Sequence, residues 1–124
     1  MAHRVFIVEP TNEVCRGVAD ALTDGDADVR SIASAEALLK DTVSDARGCV
    51  IAPSDLMGMG IRAMIIAIRM RHPRLAVIVL GHDDDLPKAV ELMRAGATEY
   101  LEAPVSPRLL RAAVRRALGD GTKP

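Results

Sequence analysis

Residues 75–104 read LAVIVLGHDDDLPKAVELMRAGATEYLEAP, and the fold turns on this stretch. It opens on LAVIVL (75–80), a near-continuous apolar run that suits a strand buried on both faces of a parallel sheet. Leu86, Ala89, Val90 and Met93 then recur at i, i+3, i+4 and i+7, the period of a helix with one apolar face turned to the core. Asp84 or Asp85 can cap that helix, Pro87 fits its first turn, and Gly96 stops it. A second short strand, TEYL (98–101), follows at once. Strand, helix and strand with such short connections make one parallel βαβ unit.

The same alternation extends outward. VFIV (5–8), VRSI (29–32) and CVIA (49–52) read as three further strands. Ile61, Met64, Ile65 and Ile68 repeat the helical spacing, as do Leu110, Ala113, Val114 and Ala117. Thr11 and Ser34 are the expected caps of the first two helices, and Pro73 ends the third after His72. Ser106 and Pro107 open the fifth helix, and Gly119 closes it. The expectation is a (βα)5 doubly wound α/β sandwich over residues 1–118, with 119–124 as a linker-like or disordered tail.

Composition narrows the function classes. A length of 124 residues predicts one domain, and the chain has 49% apolar and 27% charged residues. Sixteen Lys and Arg against seventeen Asp and Glu give a net charge of -1, so non-specific nucleic-acid binding has no electrostatic footing. The apolar runs are too short to cross a bilayer, and MAHRVFIVEP reads straight into a strand with no signal-peptide pattern. Cys15 and Cys49 have no metal-binding or CxxC spacing and read as small core residues of a reduced, cytoplasmic protein.

In a doubly wound sheet, ligands bind at the carboxyl ends of the strands. Those ends are Glu9-Pro10, Pro53-Ser54-Asp55, Gly81-His82 and Glu102-Ala103-Pro104. Asp83, Asp84 and Asp85 before a proline-started helix read as cap and dipole partner rather than a metal patch. His82 reads as solvated, and His3 and His72 stand at segment ends without evident partners. Met57 and Met59 are either contact residues or part of a loop shaped by its glycines.

Four segments carry a resemblance: VFIVEP, SIASAEALL (31–39), GCVIAPSDLMGMG (48–60) and LPKAVELMRAGATEYLEAP (86–104). With the run AGA-x-[DE]-[FY]-L-x-x-P, the chain resembles the receiver (CheY-like) domain of bacterial two-component response regulators over residues 4–118, in the FixJ-like branch. The resemblance implies a three-layer sandwich with strand order 2-1-3-4-5. Receivers phosphorylate themselves with two metal-holding acids after the first strand and an acceptor aspartate after the third. A Ser or Thr after the fourth strand and a Lys before a proline after the fifth complete their site.

Here those positions fall on Glu9 and Pro10, on Pro53, on Gly81 and on Ala103 beside Pro104. The resemblance therefore implies a pseudo-receiver in phosphorelay signalling, non-enzymatic, without cofactor or metal, acting through protein–protein interaction. A histidine kinase or another signalling protein is the implied partner. Asp55, two residues past the acceptor position, is the alternative phosphoacceptor. A second alternative is the regulatory half of a transcription factor, although residues 105–124 resemble no helix-turn-helix and this chain alone is not expected to bind DNA. A third is a small-molecule site in the pocket emptied at Pro53, Gly81 and Ala103.

Tyr100 falls on the family's switch aromatic, and Gly81 leaves room for it to stay inward. The fourth helix, fifth strand and fifth helix form the face receivers use to dimerise. Lys88, Glu91, Arg94, Glu99, Arg111 and Arg115 are its candidate interface residues for a homodimer.

Overall fold

The strands form because their side chains are buried on both sides. In β1 (Arg4–Val8), Val5 and Ile7 point to one face of the sheet and Phe6 and Val8 to the other, and all four are buried. β3 (Gly48–Pro53) is buried along its whole length, and β4 (Leu75–Gly81) nearly so. β2 (Asp28–Ile32) and β5 (Glu99–Glu102) are the half-exposed edges. The computed structural model describes residues 4–23, 25, 27–41, 46–82 and 85–119. It places the five strands in one parallel sheet in the order β2-β1-β3-β4-β5.

Helices cover both faces. α2 (Ala35–Asp41), α3 (Ile61–Arg71) and α4 (Leu86–Ala95) lie over a core of Phe6, Val8, Val50, Val77 and Val79, to which they contribute Leu38, Ile65, Ile68 and Leu92. α1 (Val18–Ala21) and α5 (Pro107–Ala117) cover the opposite core, where Ile7, Ile51, Ile78 and Leu80 meet Val18, Leu110 and Val114. Ser34, Asp85 and Ser106 cap the helices they precede, accepting from the backbone N–H of Ala37, Lys88 and Leu109 at 3.1, 3.2 and 3.1 Å. Asp83, Asp84, His3 and residues 120–124 lie outside the described residues.

Two sequence expectations are corrected. The first helix is not one helix capped by Thr11. Asn12 caps a 3-10 turn over Glu13–Cys15, accepting from Val14 N–H at 3.0 Å, and Gly17 then takes a left-handed conformation (φ 83°). That break leaves α1 only four residues long.

The second correction concerns α4, which keeps the expected helical period but buries a different face. Leu92 is its one fully buried side chain, whereas Leu86, Val90 and Met93 are 71%, 42% and 44% exposed. Packed against α3 and β5, the helix turns its Leu92 side to the core, so an apolar stripe faces solvent. His72, at the end of α3, is buried.

Candidate functional site

The carboxyl edge of the sheet is built where β1, β3 and β4 end. Glu9 follows β1 with a left-handed backbone (φ 54°), a conformation that costs a non-glycine residue on the order of 1–3 kcal/mol. Several bonds hold it there. Its N–H donates to Ile32 O at 2.9 Å, its carbonyl accepts from Asn12 N–H at 2.9 Å, and its carboxylate accepts from Met57 N–H at 2.8 Å. Pro10 beside it is half-buried.

Pro53 ends β3 without an N–H to donate. The position tolerates this because Ser54 N–H continues the ladder to Leu80 O at 2.8 Å, and alternate residues of a parallel strand face opposite neighbours. The nitrogen of Pro53 therefore faces the side of β1, which has ended at Val8.

Beyond Pro53 the loop 54–60 is held from three directions. Asn12 Nδ2 donates to Asp55 Oδ1 at 3.1 Å, Glu9 accepts from Met57, and Glu36 in the first turn of α2 accepts from Met59 N–H at 2.8 Å. Gly58 lies close under this last contact, where a Cβ would come within 2.7 Å of Glu36 Oε2. The roles of Asn12 and Glu36 were not read from the sequence. Their partners are 43 and 23 residues away, and only the helical position of Glu36 was legible.

At the end of β4, Gly81 O accepts from Ala103 N–H at 2.6 Å, tying β4 to the loop before α5. The Tyr100 hydroxyl is buried and occupies the space a Cβ on Gly81 would need, and Ser54 Oγ stands 3.0 Å from that same position. The vacancy expected over Gly81 is thus filled by Tyr100.

Three of the candidate interface residues have partners within the domain. Glu91 pairs with Arg62 of α3 at 3.6 Å, and Glu99 takes a two-pronged contact from Arg116 at 2.8 and 3.0 Å. Arg111 Nη1 donates to Ala21 O of α1 at 3.2 Å. Lys88 and Arg94 lie on α4 and Arg115 on α5.

Both cysteines are buried thiols. Burial pushes Cys15 up to about 12, with the Glu9 and Asp55 carboxylates adding to the rise. Burial raises Cys49 likewise to about 12, Glu99 contributing. A folded pKa above the unfolded value of 9.0 contributes stability that is fully present below pH 9 and is lost as pH climbs toward 12. Native protein at about pH 8 is therefore expected to resist Ellman's reagent, while urea-unfolded protein reacts at once. Rapid labelling of native protein would overturn this placement.

Among the described residues, no group of three or more His, Cys, Asp or Glu side chains is placed to hold a metal ion, and no helix is long and apolar enough to cross a membrane.

Five parallel strands in this order, with acidic and loop residues gathered at their carboxyl edge, define a doubly wound α/β domain of flavodoxin-like strand order. Residues 5–115 match the response regulator receiver domain, and the chain belongs to that family. It is 34% identical over 121 residues to the response regulator protein FleR of Pseudomonas aeruginosa, covering 97% of this chain and 26% of that protein. It is 31% identical over 115 residues to the transcriptional regulatory protein FixJ of Azorhizobium caulinodans, covering 93% of this chain and 54% of that protein. The chain thus spans about a quarter to a half of these relatives. The receiver domain of NtrX from Brucella abortus superposes with a TM-score of 0.83 at 24% identity, covering 94% of this chain and 99% of that one, a likeness of fold.

Proposed function

We propose that this receiver domain signals by protein contact, without phosphorylation of an aspartate. One observation carries the reading: β3 ends on Pro53, β4 on Gly81, and Ala103 follows β5, so the edge offers no nucleophile, hydroxyl or ammonium at those three places. Phosphoryl transfer depends on positioned charge, and that charge is what these residues lack. The family's divalent cation also fits poorly. Glu9 is engaged by Met57 N–H, Pro10 has no side-chain oxygen, and Asp55 is engaged by Asn12. Tyr100, held inward over Gly81, supports a conformation fixed without phosphate.

The exposed stripe of Leu86, Val90 and Met93 on α4 supports a protein partner, either a signalling protein such as a histidine kinase or a second copy of this chain. A second reading is a regulatory domain within a longer transcription regulator. The partial span of its relatives, one of them a transcriptional regulatory protein, favours it.

The test is an amide NMR titration with magnesium and beryllofluoride, a mimic of the phosphoryl group on aspartate. The signals of Glu9, Asp55, Gly81 and Tyr100 are expected to stay still. Saturable shifts at those residues, abolished in Asp55→Ala, would make Asp55 the acceptor and overturn the proposal.

A further inference from the structure

Gly17 and Ala103 together open a groove on the side of the sheet away from Tyr100. Gly17 splits the first helical segment into a 3-10 turn and the four-residue α1, which packs against α5. Residue 103 contributes only a methyl group to the space beside the β5–α5 loop. The result is a groove of about 440 Å³ floored by Val18, Leu80, Val105 and Leu110, with Ala103 on its wall. Neither Pro53 nor Gly81 lines it, so it is distinct from the pocket expected at the ends of β3 and β4.

Its mouth is polar. Arg16, Glu13 and His82 stand there, and Pro107 brings the amino end of the eleven-residue α5 to the rim. The Arg16 guanidinium donates a long bond to Thr11 O at 3.4 Å and makes no ion pair among the described residues. Small-molecule sites pair an apolar floor of this size with a few polar groups at one end. A guanidinium at the mouth, beside the positive end of α5, favours an anionic head over a cationic one, and the Glu13 carboxylate opposes it only in part.

We infer that this groove binds a small amphipathic anion, its apolar body on Val18, Leu80 and Leu110 and its acidic head at Arg16. Such a ligand would be an input to the domain that needs no phosphate. The inference is independent of the phosphorylation reading, since none of the groove's residues is a proposed acceptor.

The full chain is titrated with octanoate below its micelle concentration, with octylammonium and acetate as comparators, and followed by amide NMR. Octanoate is expected to shift Gly17, Val18, Val105 and Leu110 saturably, while octylammonium and acetate leave them unmoved. Arg16→Ala should weaken octanoate several-fold. Ala103→Phe, which fills the wall, should weaken it about tenfold or more, equivalent to about 1.4 kcal/mol. Ala21→Leu fills the groove from α1 and keeps the test valid if Ala103→Phe fails to fold. Absence of saturable shifts, equal binding of octylammonium, or shifts unchanged in folded filling variants would each overturn the inference.

Discussion

Replacing Gly81 with alanine is expected to drive the Tyr100 ring out of the carboxyl edge and to expose its phenol to solvent. The Cβ of an alanine would fall well inside contact distance of the Tyr100 hydroxyl, and Ser54 Oγ would be only 3.0 Å away. Gly81 does not have a positive φ, so its backbone accepts an L side chain and the conflict is purely one of space. Of the groups in conflict, the tyrosine ring is the one able to move, because it is half-buried and rotates about χ1, whereas Gly81 is fixed in the ladder opposite Glu102.

Overpacking of this kind costs about 1–3 kcal/mol. The chain has one tyrosine and no tryptophan, so its intrinsic fluorescence reports Tyr100 alone. Acrylamide quenching should rise in Gly81→Ala and rise further in Gly81→Thr, which adds a branched side chain. In the Tyr100→Phe background the stability cost of Gly81→Ala should shrink, giving a coupling energy on the order of 0.5–3 kcal/mol. Quenching that does not change would mean that Tyr100 is not held over Gly81, and the proposal of a conformation fixed without phosphate would lose its support.

The strands were legible in the sequence because β1, β3 and β4 are buried on both faces and must therefore read as continuous apolar runs. The caps at Ser34, Asp85 and Ser106 were legible because capping chemistry is local. What failed was phase and competition between neighbours. Spacing at α4 fits Leu86, Ala89, Val90 and Met93 as well as it fits a helix centred on Leu92, and only packing against α3 and β5 decides between them. At the first helix Thr11 and Asn12 are both competent caps, and nothing local announces that Gly17 will break the helix after one turn.

The site divides in the same way. Which residues end the strands followed from the elements themselves. That Glu9 and Glu36 turn their carboxylates to the amides of Met57 and Met59 depends on contacts across 48 and 23 residues, which no periodicity encodes. The groove beside α5 needed both the break at Gly17 and the three-dimensional proximity of Ala103.

Gly48→Ala is expected to be the most damaging single methyl addition in the sheet, and Gly17→Ala is its control. Both glycines have positive φ, 138° and 83°, so each substitution carries a backbone penalty on the order of 1–3 kcal/mol. They differ in what surrounds them. A Cβ on Gly17 would meet nothing within 4 Å, whereas one on Gly48 would run into the backbone carbonyl of Arg4, with Arg4 C at 3.0 Å and Arg4 N at 3.2 Å.

That backbone cannot step aside. Arg4 is paired with Asp28 of β2 on one side and with Gly48 itself on the other, while Gly48 is also paired with Leu75 of β4. Relief would have to come from separating β1 from β3 at the start of both strands, where Val5 and Cys49 are fully buried. The expected loss exceeds about 4 kcal/mol, against a total stability for a domain of this kind of about 5–15 kcal/mol. Thermal unfolding followed by circular dichroism should show a midpoint lowered by roughly 10–20 °C or no folded baseline at all for Gly48→Ala, and a drop of only a few degrees for Gly17→Ala. Equal losses in the two variants would mean that backbone conformation alone sets the cost, and that the approach of Arg4 to Gly48 is not a fixed feature of the sheet.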